Sequence, residues 1–380
     1  MKKLKKILIA ILPFAIGAAV GFFIVPIFTG GGSGEATGYY EGTRSLFETI
    51  ARAAILIASI FVGYYFHIIV HEAGHLVAGK LSGYMLVSFR VGKLTVVRKG
   101  DKLVRKKYDI AGTGGQCLMS PPDVTDEQYK FPISLYNLGG GLANILFAAL
   151  FSVVALLTTG LISLIFAFIA GVGIFIALLN LIPLKIGGVP NDAMNLLVCR
   201  KDSESRRALW IQLKFVALLT QGVRLIDMPH DWVDDIGTPS SALTGFLAAL
   251  RCNYLLEKGE IEQANDYAKS VIENPGKMFM LHVYELECDV LFIELIGECR
   301  AEEIERLYTE DLRKFMKAHA THLSTQRRLY AYELLHKKDE EEANEVLANF
   351  EKVCLQTPFE GEIEGERKLV ELVKQRSMGQ

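Results

Sequence analysis

The sequence lacks an excess of charge of either sign. Its 380 residues include 41 lysines and arginines against 43 aspartates and glutamates, a net charge of −2. Because nucleic-acid binding usually requires a basic face, this balance gives no support for a nucleic-acid partner. The composition is instead apolar, with 51% hydrophobic residues and a mean hydropathy of +0.27. A wholly soluble protein of this length is not expected to be so apolar.

Closely paired cysteines are also absent. None of the six cysteines belongs to a CxxC pair, and all lie in segments that the charge pattern assigns to the cytoplasmic side or to its membrane boundary. Free thiols are therefore the expected state rather than disulfides. The six are Cys117, Cys199, Cys252, Cys288, Cys299 and Cys354.

From about residue 200 onward, the chain lacks long uncharged runs. Four long, mainly apolar runs occur in the first part, at residues 6–28, 49–80, 132–158 and 160–184. Each approaches or exceeds the roughly 20 residues that a helix needs to cross a bilayer. The expected fold class is therefore an α-helical membrane protein with about four transmembrane helices, a small β-hairpin and a soluble all-α domain after them.

Basic residues next to the apolar runs predict the orientation in the membrane. MKKLKK precedes the first run and predicts a cytoplasmic N-terminus, whereas the Gly-rich loop 30–48 is suited to the outside. The basic loop 84–116 belongs inside, so four crossings leave the C-terminus cytoplasmic as well. Residues 1–30 are interpreted as a retained membrane anchor, with a secretory signal as the alternative. These features predict a multi-pass integral membrane protein, and the expected location is a bacterial cell membrane.

Part of the basic loop alternates between apolar and polar residues. Residues 86–110 are LVSFRVGKLTVVRKGDKLVRKKYDI, with the turn-forming RKGDK near the middle. This pattern predicts a β-hairpin of two strands. Its apolar face would lie against the membrane surface or against the helices.

The second apolar run contains HEAGH at residues 71–75. On a helix, His71 and His75 project from one face, so both imidazoles are able to bind a single zinc ion. Glu72 lies beside them and would take a proton from the water that zinc activates. The alternative is a pair of core histidines hydrogen-bonded within a helical bundle. Ionisable side chains at membrane depth are costly, however, and this favours a functional role.

A tetrahedral zinc site needs a third protein ligand, which leaves one position for water. Asp192 is the only acid in NLIPLKIGGVPNDAMN, the segment that ends the fourth run. Asp192 follows a break in the helix, and such a break is tolerated at membrane depth only where the backbone lines a cavity or is buried in protein. Asp192 is therefore the predicted third ligand. The alternative is that Asn191 or Asp192 only caps the next helix. His67 is too far along the helix to share the ion with both other histidines, so we interpret it as a supporting or substrate-contacting residue, or as a bundle histidine.

These elements resemble the site-2 protease family of intramembrane zinc metalloproteases. HEAGH is similar to the family's HExxH, and GGGLANILFAAL is similar to its Gly-rich helix segment with an Asn. NLIP…ND is similar to the family's Asn-x-x-Pro…Asp-Gly segment. The resemblance covers about residues 49–195. It implies Asp192 as the third zinc ligand, and Asn144 and Asn180 as substrate-positioning residues.

Two positions depart from the family pattern. Pro183 and Asp192 are separated by more residues than is usual in the family, and Ala193 stands where Gly is usual. Asn144 also has an alternative role of its own. A lone amide in a Gly-rich membrane helix is equally suited to a hydrogen bond between helices.

The second half of the chain has no metal-binding or nucleophile pattern. Residues 200–238 are predicted to form an interfacial amphipathic helix, over 203–226, and a linker. Residues 239–380 are predicted to form a cytoplasmic α-helical domain, in which LLEKGEIEQAN (255–265) recurs as LLHKKDEEEAN (334–344). Each copy is expected at a helix–turn–helix junction and weakly resembles a tetratricopeptide-type repeat. Chance similarity within an irregular helical domain is the alternative.

Together, these features predict an intramembrane zinc metalloprotease whose core is residues 49–199 and whose general base is Glu72. The expected partners are a membrane-spanning peptide or protein substrate, the lipid bilayer, and a regulatory protein that binds the C-terminal helical domain. The alternative is a non-catalytic membrane adaptor whose metal site is structural or vestigial. Glu72 favours the enzyme, because a structural site has no need of a base. A metal transporter is not favoured, because it would require polar residues spread over several spans.

Overall fold

The computed structural model describes residues 46–108, 114–124, 129–186, 189–234 and 236–379. The predicted anchor at residues 1–30 lies outside the described residues. The chain divides into two units. The first contains the described residues up to Ser82, together with Pro132–Leu184 and Asn191–Leu196, and the second contains the remainder.

Three long apolar helices make up most of the first unit. They are α1 (Leu46–Leu81), α2 (Ile133–Leu157) and α3 (Gly160–Leu181), and each is long and apolar enough to cross a membrane. They correspond to the second, third and fourth predicted runs. Their outer faces expose large apolar side chains, which include Phe61, Ile69, Leu146, Leu150 and Val153. Such a surface is expected to face lipid rather than water.

Glycines allow α1 and α2 to approach closely. A Cβ added to Gly139 would lie 2.7 Å from the carbonyl oxygen of Gly74, and a Cβ added to Gly74 would meet the carbonyl oxygen of Gly139. A side chain at either position would therefore collide with the backbone of the other helix. This crossing confirms that the Gly-rich segment allows another backbone to come near.

The helix of the fourth run ends at Leu181, three residues before the predicted end at 184. Pro183 follows almost at once, and the residue before a proline is disfavoured in helical conformation. Two short antiparallel strands then form, at Lys185–Ile186 and Val189–Pro190. Helix α4 (Asp192–Lys201) begins directly after them.

The second unit contains a four-stranded antiparallel sheet. Its strands are β1 (Met85–Val91), β2 (Leu94–Lys99), β3 (Lys102–Lys107) and β4 (Gly115–Ser120), in the order β3-β2-β1-β4. The predicted hairpin of two strands over 86–110 is therefore wrong in its strand count. Gly92 has a φ of 57° and makes a turn that divides the first predicted strand into two. The other turn falls at Gly100 and Asp101, within RKGDK as predicted.

A helix at Ser203–Thr220 follows α4. Its first turn is capped by Asp202, whose carboxylate accepts hydrogen bonds from the backbone N–H groups of Glu204 and Ser205. Trp210 and Ile211 are buried in the second unit, and the indole N–H of Trp210 donates to the Pro122 carbonyl. The helix ends six residues before the predicted end at 226. Its position at a membrane surface stays a prediction.

The rest of the second unit is helical and encloses a hydrophobic core that includes Phe292, Leu335 and Phe350. Segments 255–265 and 334–344 each occupy a helix–turn–helix junction, as predicted. Their relation to tetratricopeptide repeats stays a prediction. The α-helices are Ala242–Lys258, Ile261–Glu273, Met280–Ile296, Ala301–Leu307, Glu310–Ala318, Leu323–Ala331, Glu340–Gln356 and Glu360–Met378. Two 3-10 turns, Leu225–Asp227 and His230–Trp232, precede them, and a π-helical segment lies at Tyr332–Lys337.

All six cysteines lie in the described part of the chain and are free thiols there. Five are buried and Cys299 is partly buried. This confirms the expectation drawn from their spacing.

Candidate metal centre

Three side chains of the first unit converge on one point. The Nε2 atoms of His71 and His75 each lie 3.3 Å from Oδ2 of Asp192, and the two Nε2 atoms are 3.0 Å apart. These side chains form a group able to hold a metal ion. They are the three ligands predicted from the sequence, and the chain brings them together across 117 residues, counted from His75 to Asp192.

Helix geometry and a glycine place the two imidazoles. His71 and His75 are one turn apart on α1, so their rings project from the same face. A Cβ added to Gly140 on α2 would lie 2.6 Å from Cε1 of His71 and 2.6 Å from Nε2 of His75. The space that the two rings occupy therefore depends on the missing side chain at Gly140. Sequence analysis identified this glycine only as part of a Gly-rich run.

Asn191 positions the aspartate. Its side-chain oxygen accepts hydrogen bonds from the backbone N–H groups of Leu184 and Met194, and its amide group donates to the carbonyls of Leu179 and Ile182. Asn191 thus caps α4 and joins its start to the end of α3. Because the neighbouring residue does the capping, the carboxylate of Asp192 is able to turn toward the histidines. Of the two predicted alternatives, Asn191 takes the capping role, and Asp192 lies with the two histidines in a group able to hold a metal ion.

This joint also accommodates the two departures from the family pattern. The backbone N–H of Asn191 donates to the Leu184 carbonyl at 3.0 Å. The two residues that flank the intervening segment are therefore adjacent. Ala193 lies in the first turn of α4, where alanine is a favourable residue. Neither departure moves the carboxylate away from the imidazoles.

Hydrogen bonding determines which histidine atoms have lone pairs. Nδ1 of His75 lies 2.7 Å from the backbone carbonyl of Tyr136. A carbonyl only accepts, so Nδ1 carries the hydrogen and a neutral His75 presents the lone pair of Nε2. That lone pair faces the Nε2 atom of His71 and a carboxylate oxygen of Asp192. The same oxygen is shielded from solvent and accepts no hydrogen bond within the described ranges. Such a convergence of electron pairs is unfavourable unless a proton or a metal ion lies between them.

The spacing of the three atoms fits zinc. Ligand atoms at zinc–N and zinc–O distances of about 2.0–2.2 Å in a tetrahedral arrangement are about 3.3–3.5 Å apart. The observed separations of 3.0–3.3 Å are close to that value. Two imidazoles and one carboxylate are also a donor set that zinc accepts at sites with one open position. The side chain of Asp192 is 26% exposed, so one side of the group is not closed.

Glu72, the predicted general base, is buried on α1 with 8% exposure. It directly follows His71 in the chain, and its role as the base stays a prediction.

The two predicted substrate-positioning asparagines have different surroundings. Asn144 is fully buried, and its amide lies 3.2 Å from Nδ1 of His71 and 3.1 Å from Nδ1 of His67. These contacts realise the alternative predicted for Asn144, a hydrogen bond between helices. Asn180 donates to the Ile176 carbonyl in its own helix, at 2.9 Å. A substrate role for either residue stays a prediction.

His67 does not belong to the group of His71, His75 and Asp192 but contacts Asn144 instead, which fits both a supporting role and a bundle histidine. The structure adds Gly140, Asn191 and the Tyr136 carbonyl to the site. The sequence signals for these were the Gly-rich run that contains Gly140 and the capping pattern at Asn191, whereas the Tyr136 carbonyl had none. Comparison of the chain with family models, with curated proteins and with solved structures found no match in any of the three.

Proposed function

We propose that this protein is an intramembrane zinc metalloprotease of the site-2 protease type. Its substrates would be membrane proteins or peptides, cut in or near their transmembrane segments. One observation carries the proposal. Three electron-pair donors, from His71, His75 and Asp192, converge at zinc-like spacing among helices that are apolar enough to cross a membrane.

The residues of the site divide the chemistry between them. Zinc bound there would polarise the scissile carbonyl and lower the pKa of a water molecule toward 7. Glu72 accepts the proton from the attacking water and then delivers it to the leaving amine, so that no net proton is consumed at the carboxylate. Asp192 and the two histidines hold the centre in place, and the Tyr136 carbonyl keeps His75 in the tautomer that can bind metal.

The apolar surroundings restrict the substrate class. A peptide that crosses a membrane is helical, and its backbone amides are hydrogen-bonded internally. The substrate must unwind locally before water can attack one of its carbonyls. We therefore expect cleavage near helix-weakening residues, or near the end of a substrate helix. The cytoplasmic placement of both termini and a regulatory partner for the helical domain belong to this proposal as well.

The test measures zinc content and cleavage separately, on full-length protein in detergent micelles. Glu72→Gln should retain zinc and lose cleavage of membrane-spanning test peptides by about 10²- to 10⁴-fold, because the base is removed while the ligands remain. Asp192→Ala should bind zinc more weakly. Glu48→Gln on the same helix and Asp101→Ala in a β-turn are the matched controls, and both should behave as wild type.

Full turnover by Glu72→Gln would exclude the assigned base. A wild-type protein that binds zinc but cleaves no membrane peptide would favour the non-catalytic adaptor instead. A wild-type protein without affinity for zinc or another divalent transition metal would contradict the metal centre itself.

A further inference from the structure

We infer that Asn144 is a positioning residue that orients the zinc ligand His71 and links it to His67, rather than a residue that contacts substrate. The inference rests on the metal centre proposed above. It concerns how the chain's own residues prepare that centre.

The burial of Asn144 separates the two roles. Both Asn144 and His67 have 0% exposure, so a substrate at the open side of Asp192 has no access to the amide. Both polar atoms of the amide are already used. Its oxygen is placed 3.1 Å from Nδ1 of His67, and its nitrogen is placed 3.2 Å from Nδ1 of His71.

Donor and acceptor counting shows which way the amide must face when metal is bound. A neutral imidazole that binds metal through Nε2 carries its hydrogen on Nδ1 and donates from there. For His71 to donate, Asn144 must present its oxygen to His71. The oxygen and nitrogen of a side-chain amide exchange places by a rotation of half a turn, and coordinates of heavy atoms do not distinguish the two arrangements.

This orientation determines the state of the third histidine. With its oxygen toward His71, Asn144 points its NH₂ group at Nδ1 of His67, which must then accept. His67 consequently carries its hydrogen on Nε2. In the opposite orientation of the amide, the NH₂ group faces Nδ1 of His71 and places the hydrogen of that ring on Nε2, where it blocks metal binding. The three residues thus form one hydrogen-bonded chain with a metal-competent arrangement and an incompetent one.

The packing around His67 supports a fixed position for this chain. A Cβ added to Gly173 on α3 would overlap the His67 ring, with Nδ1 of the ring 2.8 Å away. The ring therefore fills a space that a glycine leaves open, and it lies edge-on to Phe66 and Phe151. This accounts for a third histidine at membrane depth, since His67 acts on the ion through Asn144 and His71.

The experiment compares zinc affinity in three variants of the full-length protein in detergent micelles, by competition with a chelator of known affinity. Asn144→Leu removes both hydrogen bonds at similar volume and should weaken zinc binding by about 10- to 100-fold, the usual effect of losing a partner of a metal ligand. Asn144→Asp keeps an acceptor for Nδ1 of His71 and should remain within about threefold of wild type. Asn137→Leu is the control, because Asn137 is a buried asparagine on the same helix that donates only to its own helix, at Ile133.

Cobalt substitution provides a readout of ligand geometry that does not depend on activity. The visible absorption bands of the Co²⁺ form should change in Asn144→Leu and be restored in Asn144→Asp. Wild-type zinc affinity and an unchanged cobalt spectrum in Asn144→Leu, accompanied by loss of cleavage, would overturn the inference and indicate substrate contact instead. Failure of the proposed metal centre would look different, since the wild-type protein itself would then bind neither ion.

Discussion

The two units bury charged groups in opposite ways. In the helical part of the second unit, Arg328 donates to Asp289 at 2.6 Å and Arg327 donates to Glu366 at 2.6 Å. Each of these buried cations meets a carboxylate. In the first unit, two imidazoles meet the carboxylate of Asp192, and among the described residues no lysine or arginine pairs with it.

This difference separates a structural cluster from a binding site. In the arginine–carboxylate cluster each cation has a carboxylate partner, and the atoms left without a hydrogen bond are N–H donors of Arg327 and Arg328, which do not attract a cation. In the histidine–aspartate cluster the unmatched atom is an acceptor, a carboxylate oxygen of Asp192, and the three side chains form a group able to hold a metal ion. Counting donors and acceptors therefore distinguishes the two clusters, whereas burial alone does not.

The largest effect is expected from breaking the arginine–carboxylate cluster. Asp289→Ala leaves Arg328 buried without its carboxylate, and the free energy of unfolding should fall by about 3–5 kcal/mol. Chemical denaturation followed by far-UV circular dichroism would measure this, and zinc content at low denaturant should stay at the wild-type level. Glu351→Ala breaks a pair with Arg367 in which both side chains are more than half exposed, so it should cost less than about 1 kcal/mol. Equal destabilisation by both variants would contradict the assignment.

A change of intermediate size is expected at the histidine–aspartate cluster. Gly140→Ala introduces a Cβ against both imidazoles and should weaken zinc binding by about 100-fold, at or beyond the upper end of effects that act through a neighbouring residue. Gly141→Ala is the control, because the three atoms nearest to its Cβ would belong to the side chain of Leu181 rather than to an imidazole. Chelator competition would measure both affinities. Retention of wild-type affinity by Gly140→Ala would show that the rings do not need this space.

The smallest effect concerns a carboxyl group of the second unit that has no basic partner among the described residues. Glu362 lines a cavity of about 270 Å³ between helices, and burial, together with the charges of Glu366 and Glu285, raises its pKa from 4.5 to about 8. The folded protein therefore binds one more proton than the unfolded chain between these values. The contribution of this proton to the free energy of unfolding should be fully present below pH 4.5 and should be lost as the pH rises through 8.

Glu362→Gln removes this ionisation. At pH 8.5 the variant should be more stable than wild type by about 1 kcal/mol, which corresponds to a few degrees in Tm for a unit of this size. Thermal melts at pH 5 and pH 8.5 would measure the difference, with the exposed Glu364→Gln as control. Equal melting temperatures of wild type and Glu362→Gln at pH 8.5 would show that the carboxyl group is not held neutral.

Local spacing made much of this molecule predictable from its sequence. A separation of four positions between His71 and His75 places both rings on one helix face, and an apolar run of sufficient length predicts a spanning helix. The strand count failed because a single positive φ at Gly92 divides an alternating pattern that otherwise continues. The contact of His67 with Asn144 joins positions 77 residues apart. It depends on how α1 and α2 cross, and no periodicity within either helix contains that information.

The hydrogen-bonded link at Asn191 affects how such centres can be recognised from a sequence pattern. Leu184 and Asn191 are tied to each other by two hydrogen bonds, so the stretch between them could lengthen or shorten without displacing the acidic ligand. A search pattern with a fixed gap between the proline and the aspartate would then overlook proteins that carry the same three donors. A query that asks for an asparagine directly before the acid, at the entry of a helix, would retain them.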